Sequence, residues 1–135
     1  MARVDRMRRL PFLLLGLALG ACAGAPRRPA VPPPVDLAGT WDWQSEEAAT
    51  GQGGAGSMTI VRADTGYGGT VEQQGGPDLQ IQSARVAGDS VVLRIAGPDF
   101  LIWAGATLAG RDSMNGTWND TRGASGTFWA KRRIP

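Results

Sequence analysis

Beyond residue 36 the chain alternates. Val91, Leu93 and Ile95 point one way while Ser90, Val92 and Arg94 point the other. Leu79 and Ile81 alternate with Gln80 and Gln82, and Met114, Gly116 and Trp118 alternate with Asn115 and Thr117. A period of two marks a half-buried strand, with the apolar set on one inner face. Turn-forming clusters separate these runs: DTGYG around Gly66, GGPD around Gly76, AGD around Gly88, AGPD around Gly97, AGRD around Gly110 and DTRG around Gly123. Intervals of about nine to thirteen residues suit an antiparallel all-β domain. No amphipathic helical pattern free of proline competes with that reading.

The pattern predicts eight strands, over 37–44, 57–64, 67–74, 79–86, 90–96, 100–107, 112–119 and 125–132. Most connections are short enough for hairpins. Eight strands in an up-and-down meander close into a small barrel, which leaves no exposed edge. Closure requires the first strand to pair with the last, and aromatics gather at both: Trp41 and Trp43, then Trp118, Phe128 and Trp129. On the last strand Phe128, Ala130 and Arg132 share a face, with Phe128 inward. That parity sets Arg132 over the Trp41 indole at the end of the barrel, and Arg133 on the opposite face. The stretch 45–57 lacks periodicity and reads as a long mobile loop.

The start of the chain is different. Arg3, Arg6, Arg8 and Arg9 precede an uncharged apolar run, Leu10 to Ala21. That run is about half of the roughly 20 residues a transmembrane helix needs. A basic start, a short apolar run and small residues before a cleavage point describe a signal peptide, here 1–21. Its end, Leu19-Gly20-Ala21-Cys22, resembles the lipobox of bacterial lipoproteins, and Cys22 is the only cysteine in the chain. The resemblance implies that the Cys22 thiol takes a diacylglyceryl group (palmitate and similar chains) and that the signal is cut before it. Ala23 after the cysteine implies the periplasmic face of the outer membrane, where the cell has two membranes. One acyl chain anchors weakly, and two or three anchor durably. Residues 22–35 then form a lipidated, proline-rich linker. Pro32, Pro33 and Pro34 favour polyproline II, and the thirteen residues 23–35 in that form reach about 40 Å.

The barrel domain, 36–135, carries a second resemblance. Gly39-Thr40-Trp41 resembles the G-x-W signature of lipocalins and related calycins, whose last strand places a basic residue over that Trp. The calycin resemblance implies an eight-stranded barrel with structural roles for Gly39, Trp41 and Arg132, and a small apolar ligand. The periplasmic metalloprotease inhibitors and the avidins share parts of the same pattern.

Charge and chemistry remove several classes. Without residues 1–21, ten basic and eleven acidic residues remain, so the mature chain is near neutral and gives no case for nucleic-acid binding. The chain has no histidine, which removes Ser-His-Asp and Cys-His catalysis and histidine-based metal sites. GQGGAG, Gly51 to Gly56, matches G-x-G-x-x-G in letters, but a strand-like SMTIVRA follows where a dinucleotide site needs a helix. Asp42, Glu46 and Glu47 lie in no apolar stretch that would raise a carboxyl's pKa for acid catalysis. A non-enzymatic monomer without cofactor or metal is expected.

The candidate ligand site is aromatic: Trp43, Tyr67, Trp103 and Trp118 are expected to line an apolar pocket in the barrel mouth. A small eight-stranded barrel has room for side chains or for one small ligand. Two readings follow. In one the barrel binds a small apolar molecule. In the other its core is filled and its loops contact or inhibit another envelope protein. For the anchor, Cys22→Ser should leave an unprocessed precursor and abolish labelling by a fatty-acid analogue.

Overall fold

A computed structural model describes Gly24, Pro26 and residues 33–134. The signal segment 1–21, Cys22 and most of the linker lie outside the described residues. Eight strands follow one another: β1 (Gly39–Glu47), β2 (Gly53–Ala63), β3 (Gly66–Gln73), β4 (Leu79–Ala87), β5 (Ser90–Ala96), β6 (Leu101–Leu108), β7 (Ser113–Asp120) and β8 (Ser125–Arg132). Each pairs antiparallel with the next, and β1 pairs with β8, so the sheet is a closed up-and-down barrel.

The turns obey local chemistry. The two-residue β4–β5 hairpin, Gly88–Asp89, needs a positive φ at its first position, and Gly88 supplies it at 61°. Barrel curvature is set by inward glycines. A Cβ on Gly56, Gly116 or Gly126 would collide with the carbonyl of Glu72, Gly105 or Glu46 on the next strand, so only glycine permits the bend.

The stretch 45–57 corrects the sequence reading. It is a hairpin, not a long loop: β1 runs on to Glu47, β2 begins at Gly53, and Glu46 pairs with Gly53. Its glycines carry no side-chain alternation to read, yet their backbone bonds complete the ladder. Gly54 also faces Trp43, whose ring lies 3.5 Å from where a Cβ would stand.

One end of the barrel is packed shut. Leu37, Trp41, Ile60, Val91, Leu108 and Met114 are buried there, and Leu37 and Trp41 have no exposed surface. The segment before β1 folds across this end, and the Trp41 indole Nε1 donates to the Leu37 carbonyl at 3.0 Å. Arg132, opposite Trp41 across the β1–β8 seam, lies over its ring at 4.4 Å from the centroid. Its guanidinium donates to the carbonyls of Ala38 (2.6 Å), Asp36 (2.6 Å) and Arg111 (3.0 Å) and pairs with Asp112 (3.0 Å). Gly39 leaves room for it: a Cβ there would stand 3.0 Å from the Arg132 Nη1. Arg133 points outward, to the exposed Asp42.

Arg132→Ala strips three carbonyls of a charged donor and should cost about 2 kcal/mol, or 8–16 °C in melting temperature. Arg133→Ala removes a solvent-exposed pair and should barely move it. A double-mutant cycle should show coupling of Trp41 to Arg132 and none to Arg133.

Candidate functional site

The turns 48–52, 74–78, 97–100 and 121–124 gather at the other end, and this end is open. A cavity of about 180 Å³ enters between them. Its wall is the upper inner face of the barrel: Trp43 from β1, Ile95 from β5, Ile102 and Ala104 from β6, Trp118 from β7 and Phe128 from β8. Its floor includes Met58 and Leu93, which belong to the packed half. The barrel is thus filled at one end and hollow at the other, so each of the two expectations for the core describes half of it.

Side-chain size explains the hollow. Ala104 faces Trp118 across the β6–β7 ladder, and Gly126 faces it across β7–β8. Small residues beside a large ring leave space that the ring alone does not fill. Trp43 is similarly flanked by Gly56 and Ala130. Its Nε1 donates to the Ser57 carbonyl at 3.2 Å, which fixes the ring against the wall.

Of the four aromatics expected at the pocket, the structure brings together Trp43 and Trp118. Trp103 is a correction. Ile102, Ala104, Ala106 and Leu108 take the inner positions of β6, so parity puts Trp103 on the outer wall, 42% exposed. Tyr67 is the second correction. It lies at the packed end, where its hydroxyl donates to Asp36 at 3.2 Å and the Arg62 guanidinium lies 5.9 Å from its ring centroid. The sequence reading missed Ile102 and Phe128 as pocket residues, although alternation alone puts both on the inner face. It also missed Phe100 and Arg122, which sit in turns where no periodicity points to them.

Phe100 and Arg122 form the rim. The guanidinium of Arg122 stacks on the Phe100 ring, 3.7 Å from its centroid. Phe100 can lie this way because residue 97 is glycine; a Cβ there would run into the ring. The two turns are also tied by backbone: Thr121 N donates to Leu101 O at 3.0 Å, and Leu101 N donates to Thr121 Oγ1 at 3.1 Å. Arg122 is held in turn by Asp120, through Nη2 at 2.7 Å and Nε at 3.1 Å. The Asp120 side chain is fully buried and also accepts from the backbone N–H groups of Arg122 (2.9 Å) and Ala124 (3.0 Å). Burial pushes this carboxyl's pKa up, but the Arg122 pair and those N–H groups outweigh it and hold it below the ordinary aspartate value. Among the described residues no three metal-ligating side chains converge.

No protein-family profile matches this chain, and no curated protein matches it. Solved structures do match in fold. A redesigned β-barrel, b11L5F_LGL, superposes with a TM-score of 0.60 at 16% identity, covering 73% of this chain and 92% of that one. The redesigned barrel mFAP1, bound to DFHBI, gives 0.59 at 15% identity over 71% and 94%. A de novo designed fluorescence-activating β-barrel gives 0.57 at 13% over 72% and 94%. These likenesses concern the backbone: the chain is an eight-stranded β-barrel of the same shape.

A carboxyl whose folded pKa is lowered contributes stability that is complete above its unfolded value and lost as pH falls through its folded value. Wild type should therefore lose melting temperature steeply below about pH 4, the ordinary aspartate range. Asp120→Asn should be less stable at pH 7 and show a shallower decline from pH 5 to pH 2 in thermal melts.

Proposed function

We propose that this chain is a non-enzymatic binding protein whose barrel holds a small apolar molecule, tethered to a membrane of the cell envelope through lipidated Cys22. The observation that carries the binding reading is the asymmetry of the core. One end is sealed by Trp41, Leu37 and Arg132, while the other keeps an apolar cavity with two tryptophans in its wall. Protein interiors normally close such volumes, because unfilled space forfeits contacts. A cavity of about 150 Å³ lined by aliphatic and aromatic side chains accommodates benzene. The volume of about 180 Å³ suits a molecule of one aromatic ring with a short substituent, more of which would extend through the mouth. The ligand-bound state of mFAP1 supports the reading, since that barrel of similar fold carries DFHBI.

Asp120, the buried carboxyl at the rim, is held ionised by Arg122 and not raised toward neutrality. The tether rests on the sequence: the basic start, the short apolar run and Leu19-Gly20-Ala21-Cys22. Ala23 after the cysteine favours the periplasmic face of the outer membrane where the cell has two membranes. A closed barrel without free edges favours a monomer. The second reading, contact with another envelope protein, draws on the outer wall, where Trp103 and Trp129 are about two-fifths exposed.

Titration of the purified chain with single-ring aromatics should quench tryptophan fluorescence from Trp43 and Trp118. Ala104→Leu should fill the cavity, abolish that response and leave the melting temperature equal or higher. Absence of any binding, with a folded wild type, would favour the interaction reading.

A further inference from the structure

Each inward tryptophan of this barrel carries one N–H, and two of the three have an obvious destination. Trp41 donates to Leu37 O and Trp43 to Ser57 O. The third does not. The Trp118 Nε1 is buried, and among the described residues it has no hydrogen-bond partner. A buried donor left unpaired is costly, and native structures rarely keep one without a reason. Trp118 lines the ligand cavity.

Of the other polar groups of the wall, the Ser45 hydroxyl is neutral and half-buried, within reach of solvent as the Trp118 Nε1 is not. Gln73 donates its amide to Pro77 O at 3.0 Å. Arg122, the charged side chain at the wall, is paired with Asp120 and stacked on Phe100. The pair cancels its charge, so an anionic ligand would shed its hydration without gaining an unpaired cation. A neutral acceptor shows the opposite balance. It gives up little water and meets a donor that has no other partner.

We infer that Trp118 Nε1 is the polar anchor of the cavity, and that its ligand is an uncharged apolar molecule bearing one hydrogen-bond acceptor, such as a ketone, ester, amide or ring nitrogen. This rests on the reading that the cavity takes a small apolar molecule, and it narrows that class to exclude carboxylates. The indole nitrogen is covered by its neighbours, so a ligand engages it through a small tilt of the ring.

Acetophenone and α-methylstyrene have the same shape and differ in an acceptor, and benzoate keeps an acceptor but adds a charge in place of the methyl group. The purified full chain, labelled with ¹⁵N at tryptophan, is titrated with each, alongside Trp118→Phe. Acetophenone should move the Trp118 indole N–H resonance downfield, and α-methylstyrene should not. A carbonyl also costs more than a methylene to bring out of water, so absolute affinities are not the readout. The ratio of the two affinities is. It should shift against acetophenone by about two- to twelvefold in Trp118→Phe, the worth of one hydrogen bond. Benzoate should bind more weakly than acetophenone. An unchanged ratio in the variant, an N–H resonance indifferent to acetophenone, or benzoate as the tightest of the three would overturn the assignment while leaving the cavity reading intact. The resonance shift and the benzoate comparison use wild type alone, so they decide the matter even where Trp118→Phe does not fold. Failure of all three probes to bind would overturn the cavity reading and this inference with it.

Discussion

The Arg132 guanidinium over the Trp41 ring fastens the seam at which the barrel closes, and the packed end is organised around it. The last strand must return to the first for the sheet to have no edge, and at that seam Trp41 stands opposite Arg132. A cation on an indole face contributes directly. More important is what the same guanidinium does with its N–H groups. It ties the segment before β1, the turn between β6 and β7, and the end of β8 to one point. Three stretches far apart in sequence are thereby fixed around a buried tryptophan. Gly39 is the concession the chain makes to it, since a side chain there would crowd the guanidinium.

Sealing one end frees the other. A domain this small needs a dense core to offset the entropy of ordering its chain. Here the density is concentrated where Trp41, Leu37, Ile60 and Met114 pack, together with the segment that crosses the barrel. The opposite half carries alanine and glycine beside its large rings and keeps its volume open. The glycines serve two ends at once. At Gly56, Gly116 and Gly126 they allow strands to bend against a neighbour's backbone, and they leave the inner wall bare beside Trp43 and Trp118.

The rim of the mouth rests on a different kind of interaction. Asp120 is buried, ionised and saturated with hydrogen bonds, and it positions Arg122 flat against Phe100. Its effect is an electrically balanced rim, in which Arg122 is paired, above a wall whose other polar groups are Ser45, Gln73 and the Trp118 N–H. The open end is therefore mainly apolar, with its one cation already paired.

The number of strands, their antiparallel order and the meeting of the first with the last were all legible in the chain. Each strand buries one face, and a period of two writes that face into the letters, as with Val91, Leu93 and Ile95. The same parity sets Arg132 with Phe128 and Ala130, on the side where Trp41 lies. Trp103 was expected at the pocket with the other aromatics, but Ile102, Ala104, Ala106 and Leu108 take the inner positions of β6 and leave it on the outer wall. Three things were decided by tertiary structure. The glycine-rich 51–56 extends a strand because neighbouring backbones pair with it, and glycine leaves no alternation to read. Tyr67 serves the packed end because the segment before β1 brings Asp36 to it, a contact between residues distant in sequence. The cavity exists because Ala104 and Gly126 happen to stand at the height of Trp118 on adjacent strands. Register across a sheet is set by hydrogen bonds between strands, so which small residue faces which large one is fixed only when the barrel closes.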